Sequence, residues 1–270
     1  MPTITDLCRD LAAEEASLDA VLSGLVKEDW HRATPARGWD VQDSLSHLCF
    51  FEEAAGLAVT DRAAFEAHRD RLLADLVSGA PETPDVALGR GLGDPAALLE
   101  RWRRACAAYI VAVTRADAEA EAAGTRLRVP WYGPDMSPGS FTTARLMETW
   151  AHGVDIRDAL GLPIEPSQRL RHVCHIGYGA RAYSFAVHGT TDPGDPVRME
   201  VDAPDGTRWV WGPEDAQDRV TGPALDVALV LAQRRHRSRT ALQVSGPVAE
   251  LWLSIAQAFA GPPTVTSPDR

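Results

Sequence analysis

The sequence predicts two domains of different class, a helical first domain and a smaller α+β second domain. Three observations carry this. At 270 residues the chain is longer than most single domains need. Through its first part, apolar residues recur at three- and four-residue spacing, as on the buried stripe of a helix. After Gly189 the texture changes to short alternating runs separated by Pro, Asp and Gly, as in strands and turns.

Taken in order, Leu7, Leu11, Leu18, Leu22 and Leu25 place a first helix over residues 3–25. A polar connection with Trp30 and Trp39 follows over 26–39. Asp40 reads as the N-cap of a second helix over 41–59, with Trp39 before it and Asp43 in its first turn. Leu72, Leu73 and Leu76 support a helix over 62–78, and His68 on it reads as a surface residue. Residues 79–95 are rich in Gly and Pro and read as a loop. Gly89-Arg90-Gly91-Leu92-Gly93 is no dinucleotide fingerprint, because no strand precedes it. Asp94 and Pro95 then start a helix that runs to about Ala122. Val129-Pro130-Trp131-Tyr132-Gly133-Pro134 reads as a rigid loop, either a packed connector or a pocket wall. A helix from about Phe141 to Leu160 is stopped by Gly161 and Pro163. One further helix is expected over 167–188. Val197–Val201 and Thr207–Trp211, joined through Pro204-Asp205-Gly206, read as a hairpin. Val220 is short strand material. Leu225–Gln233 reads as a helix, Ala241–Val244 as a strand and Val248–Ala260 as a closing helix.

Composition excludes several functions. A net charge of −11 argues against nucleic acid and anionic membrane surfaces as partners. No apolar run reaches the ~18 residues of a spanning helix, and the N-terminus lacks a signal-peptide pattern, so a cytoplasmic protein is expected. Cys8, Cys49, Cys106 and Cys174 are widely spaced and form no C-x-x-C, so buried, inert thiols are expected. Lys27 is the sole lysine and stands beside Glu28 and Asp29, which removes a phosphate-loop lysine and argues against a Schiff-base lysine.

The chemistry concentrates in Arg145-Leu146-Met147-Glu148-Thr149-Trp150-Ala151-His152-Gly153-Val154-Asp155. Glu148 and His152 stand four apart and Asp155 three further, so all three share one helical stripe. A carboxylate and an imidazole stacked this way can grip a divalent metal, but the same spacing occurs on solvated faces. His47, two turns into the second helix, is the candidate third ligand; its other reading is a histidine satisfied by water or backbone. Phe51 lies one turn on and can wall a pocket. Glu52 and Glu53 fall off the His47 stripe and read as solvated or as supporting groups. His172 and His175 form a rival pair without a carboxylate beside them.

Gly38-Trp39…His47 and Arg145…Glu148…His152…Asp155 together resemble the DinB-like four-helix bundles, and within them the mycothiol-dependent maleylpyruvate isomerases and their metal-binding relatives. The family pattern is Gly-Trp, a capped helix carrying His, then much later Arg-x-x-Glu-x-x-x-His-x-x-Asp. The resemblance covers about residues 1–165, which implies a DinB-like metal-binding bundle there. Residues 166–270 are left as the α+β domain, loosely similar to the sterol-carrier-like domains attached to some of these bundles. It implies that His47, Glu148 and His152 ligate one divalent metal, with zinc expected, and that the metal activates mycothiol as a thiol cosubstrate. In the isomerases the thiolate adds to a conjugated double bond, the bond rotates, and elimination returns the thiol. Abundant arginine and alanine fit the GC-rich actinobacterial genomes in which mycothiol occurs.

An open metal position would lower the pKa of a bound thiol or water. Asp155 is then a candidate to orient a ligand imidazole or to act as general base. Arg145 is a candidate to neutralise Glu148 or a substrate carboxylate. Arg234, Arg235 and Arg237 form a basic cluster that either complements a helix C-terminus or binds an anionic group of substrate or thiol. The expected function is a metal-dependent isomerase or transferase acting on a small organic substrate, as monomer or homodimer. A metal hydrolase or hydratase and a non-catalytic metal- or ligand-binding protein are the alternatives.

Overall fold

The computed structural model describes residues 2–78 and 83–270. The chain divides into two compact units, Met1–Pro163 and Ile164–Arg270. The first is helical; the second carries a small four-stranded sheet.

The first unit contains α1 (Ile4–Leu22), α2 (Val41–Thr60), α3 (Arg62–Ser78), α4 (Pro84–Leu92), α5 (Pro95–Ala122) and α6 (Pro138–Leu160). Local chemistry sets their ends. Asp40 accepts the amide of Asp43 at 2.8 Å while Asp43 takes the amide of Asp40, a reciprocal cap that starts α2. Ser137 caps α6 three residues earlier than expected, by accepting the amide of Ser140 at 3.1 Å. Gly161, at φ +69°, ends α6 in the left-handed conformation. In the core, Leu18 and Leu22 of α1, Leu45 and Leu48 of α2 and Trp102 of α5 pack together with Trp30. α2 is central, packed against α3, α4, α5 and α6. No helix among the described residues is long and apolar enough to cross a membrane.

One element departs from the expected loop. Residues 84–92 form α4, and the loop reading at 79–82 lies outside the described residues. Pro84 occupies the first helical turn, and Gly93 closes the helix at φ +65°. The glycine that reads as a helix breaker is a packing device. A Cβ on Gly89 would sit 2.8 Å from Ser46 Cβ, so only glycine lets α4 lie this close to α2.

The second unit contains α7 (Leu170–Gly179), α8 (Arg181–Val187), β1 (Val197–Asp202), β2 (Arg208–Trp211), β3 (Asp218–Pro223), α9 (Ala224–Leu231), β4 (Gln243–Ser245) and α10 (Pro247–Ile255). The helix expected over 167–188 is thus two, broken just after Gly179, where helix propensity is weakest. The sheet order is β2-β1-β3-β4. β1 pairs antiparallel with β2, as the hairpin reading requires, and parallel with β3. Val197, Met199 and Val201 of β1 are buried on one face, following the strand's two-residue period. Asp218 accepts the amides of Val248 and Ala249 at 2.7 and 2.9 Å, satisfying the first turn of α10.

Helix α7 packs on α9 through Gly177, whose added Cβ would lie 2.6 Å from Leu231 Cδ1. Gly177→Ala gains helix propensity of about 1 kcal/mol, yet overpacking against the buried Leu231 costs about 1–3 kcal/mol. A lower urea midpoint at unchanged slope is the expected net result. A midpoint at or above the wild-type value would show that Leu231 yields freely.

Candidate metal centre

The centre is assembled from two helices. α2 presents His47 two turns past its Asp40 cap, and α6 presents Glu148 and His152 one turn apart. One ligand atom from each of the three lies within 4.8 Å of the others. The ring centroids of His47 and His152 are 4.7 Å apart, and His152 Nε2 is 3.6 Å from Glu148 Oε2. Zinc bonds of about 2.0–2.2 Å put neighbouring tetrahedral donors roughly 3.4 Å apart. Side-chain adjustment of a little over an ångström therefore brings the three donors onto one ion. Two imidazoles and one carboxylate also form a donor set that catalytic zinc uses with a further position open. The residues fit a divalent metal.

Charge around the three groups is biased to the same end. Burial alone would raise the Glu148 carboxyl. The neighbouring His152 and the charges of Arg145 and His47 outweigh it and hold the group at about 2, so it is a carboxylate at neutral pH. Asp85, at the start of α4, places Oδ2 2.7 Å from His47 Nδ1. Burial pushes the Asp85 carboxyl up, but the hydrogen bond and charge of His47 pull it below its ordinary value. Asp155 is buried behind the second imidazole, with Oδ2 3.6 Å from His152 Nδ1.

Aromatic rings surround the histidines. Trp39 lies 5.0 Å from His47 and 5.9 Å from His152 between ring centroids, and Phe51 lies 4.6 Å from His47. Val129 and Met136 exchange two backbone hydrogen bonds of 2.9 Å, closing the loop that carries Trp131 and Tyr132. Both of those rings contact Phe51 and Phe65. The Arg145 guanidinium stands 5.3 Å from the Trp131 ring.

Several expected assignments change. Of the two readings of Glu52, solvated or supporting, the solvated one falls: it is 3% exposed and its Oε2 is 3.9 Å from Arg145 Nη1. Arg145 therefore faces a buried carboxylate on α2 as well as Glu148. Glu53 pairs with Arg101 at 2.6 Å. His68 is half-buried rather than at the surface, with Nε2 3.0 Å from the Tyr132 hydroxyl. Cys49 is buried and its thiol is pushed up to about 12 by burial, in keeping with an inert role. His175, of the rival pair, accepts a hydrogen bond from Trp211 Nε1 at 3.1 Å.

Arg234, Arg235 and Arg237 belong to the second unit. They follow the C-terminal end of α9, where Arg234 Nη1 donates to the Ala232 carbonyl at 2.7 Å and Arg237 pairs with Glu250. Asp85, hydrogen-bonded to His47, is the neighbour of this cluster that sequence reading missed. Its signal was Thr83-Pro84-Asp85, a proline and an acid of the kind that open a helix.

Residues 11–157 match the family described as the mycothiol maleylpyruvate isomerase N-terminal domain. Two relatives from Mycobacterium tuberculosis, the uncharacterized protein Rv0036c of strain H37Rv and its counterpart in strain CDC 1551, are each 41% identical over 259 residues. The match covers 94% of this chain and 95% of each relative. Among solved structures, the mycothiol-dependent maleylpyruvate isomerase superposes with a TM-score of 0.57 at 17% identity, over 92% of this chain and 94% of that one. A histidine-to-alanine mutant of that enzyme gives 0.58 at 16% identity, over 92% and 96%. At such identity the likeness speaks for the fold alone.

Proposed function

The chain belongs to the mycothiol maleylpyruvate isomerase family, and from that premise we propose that it is a metal-dependent, thiol-using isomerase or transferase acting on a small organic substrate. The observation that carries this reading is the convergence of His47, Glu148 and His152 from two helices. Helices α1, α2, α5 and α6 serve in it as a DinB-like four-helix frame, with zinc as the expected ion and mycothiol as the expected thiol. The second unit supplies a sterol-carrier-like fold in the same reading.

The two imidazoles and the carboxylate would hold the ion and leave it about one net positive charge. When bound, the ion would lower the pKa of a thiol ligand toward neutrality. The remaining work falls to the chain's own groups. In this reading Asp155, with Oδ2 3.6 Å from His152 Nδ1, would accept the Nδ1 proton after a small approach and so keep Nε2 free. Trp39 and Phe51 shield the histidines from bulk water, which strengthens electrostatic interactions in the site. Arg145 brings a fixed positive charge near Glu148. Within the second unit, Arg234, Arg235 and Arg237 would bind an anionic group of the substrate or of the thiol in the same reading.

Cobalt substitution tests the reading. Adding the low-molecular-weight thiol to the cobalt protein should produce an intense sulfur-to-metal charge-transfer band, and substrate turnover should require the thiol. Turnover without thiol, and no new band, would instead assign the site to a water-activating hydrolase or hydratase.

A further inference from the structure

The geometry points to Asp85 as a positioning residue that fixes which ring nitrogen of His47 faces the metal; this rests on the metal-centre reading above. A histidine has two nitrogens, and only an unprotonated one can ligate. Asp85 Oδ2 lies 2.7 Å from His47 Nδ1, with the two side chains 9% and 21% exposed. A carboxylate can only accept, so Nδ1 carries the proton and Nε2 keeps its lone pair. Imidazole free in water populates both tautomers, and half of the ligand's preparation is removing that choice. The carboxylate also makes the imidazole a stronger donor.

The carboxylate is delivered by a helix built to stay in place. The Ser46 hydroxyl bonds the Asp85 carbonyl and accepts the Gly89 amide at 2.7 Å. Gln42 Nε2 donates to the Gly89 carbonyl at 3.0 Å, and Arg90 grips Asp43 at 3.0–3.1 Å. Gln42, Asp43 and Ser46 lie within the six residues of α2 that precede His47. The ligand and the group that orients it are thus referenced to the same turns of one helix. Gly89, one turn after Asp85, leaves no gap into which α4 could shift, since Ser46 Oγ would lie 2.9 Å from an added Cβ. His152 has its own carboxylate, Asp155, on its own helix. On α2 the carboxylate one turn before His47, Asp43, is engaged by the Asp40 amide and by Arg90, and α4 brings another, Asp85, to the His47 ring.

A purely structural ion pair makes a different prediction, so the two are separable. Asp85→Ala and the isosteric Asp85→Asn are compared with wild type, metal-free, by long-range proton–nitrogen correlation of the His47 ring. Zinc affinity is then measured by chelator competition, and folding by far-UV circular dichroism. Wild type should show the Nδ1–H form. Both variants should lose part of that population, alanine more than asparagine, and bind zinc about 10–100-fold more weakly. The asparagine variant carries the test should the alanine variant fail to fold. An Nδ1–H population and a zinc affinity both unchanged in a folded variant would overturn the assignment, whatever happens to stability. Failure of wild type to bind zinc at all would sink the metal reading itself, and is a distinct result.

Discussion

Alanine at His47 or at His152 is expected to abolish stoichiometric zinc binding and to leave the helices folded. Three donors within 4.8 Å define the centre, so losing either imidazole leaves only two protein ligands, one of them the Glu148 carboxylate. The helices do not depend on the ion. α2 buries Leu45 and Leu48, and α6 buries Leu146, Trp150 and Val154, whether or not a metal is present. His47→Ala carries one side effect, because Asp85 loses its hydrogen bond while staying mostly buried. That costs about 1–3 kcal/mol, a lower unfolding midpoint rather than an unfolded chain. Metal analysis of the purified variants and far-UV circular dichroism read the two effects separately. Wild-type zinc content in both variants would show that the three residues are not the ligands.

The parts of this centre that were readable from sequence are those with a local signature. Glu148 and His152 announce themselves by i,i+4 spacing, and α2 by the Asp40–Asp43 cap. His47 became a candidate because of its place after Gly38-Trp39, not because of any local signal. What escaped depends on tertiary contacts. Gly89 looks like a helix breaker until the close approach of Ser46 is known, so α4 reads as a loop and Asp85 is lost with it. Glu52 was placed by its angle from His47 alone. A helical wheel gives that angle but not which sides are wet, and α2 is packed by α3, α4, α5 and α6. Several of its polar residues, Gln42, Asp43, Ser46 and Glu52 among them, therefore face neighbours and not solvent, and Glu52 meets Arg145 inside the unit. The reversal for His68 has the same origin, since its partner Tyr132 is 64 residues away in sequence.

That interior acid sets the largest expected pH effect on stability. Glu15 of α1 and Glu52 of α2 are 7% and 3% exposed, and one oxygen of each, Oε1, has no hydrogen-bond partner among the described residues. Burial first, and then the charge of Glu52, push Glu15 from its ordinary 4.5 to about 8; burial pushes Glu52 to about 7 against the pull of Arg145. The folded protein therefore holds protons that the unfolded chain releases near 4.5. Stability from these groups is fully present below that pH and is lost as pH rises through about 7 and 8. At about 1.4 kcal/mol per pH unit, the loss is on the order of a few kcal/mol. Glu15→Gln removes one ionisation and its repulsion of Glu52 while keeping the shape. Its urea midpoint should stay near wild type at about pH 5 and exceed it at about pH 8.5, because only the wild type must then ionise a buried second carboxyl beside Arg145 or keep it protonated at growing cost. Equal pH dependence in the variant and the wild type would mean that Glu15 is ionised at low pH in the folded protein, satisfied by a partner that offsets its burial.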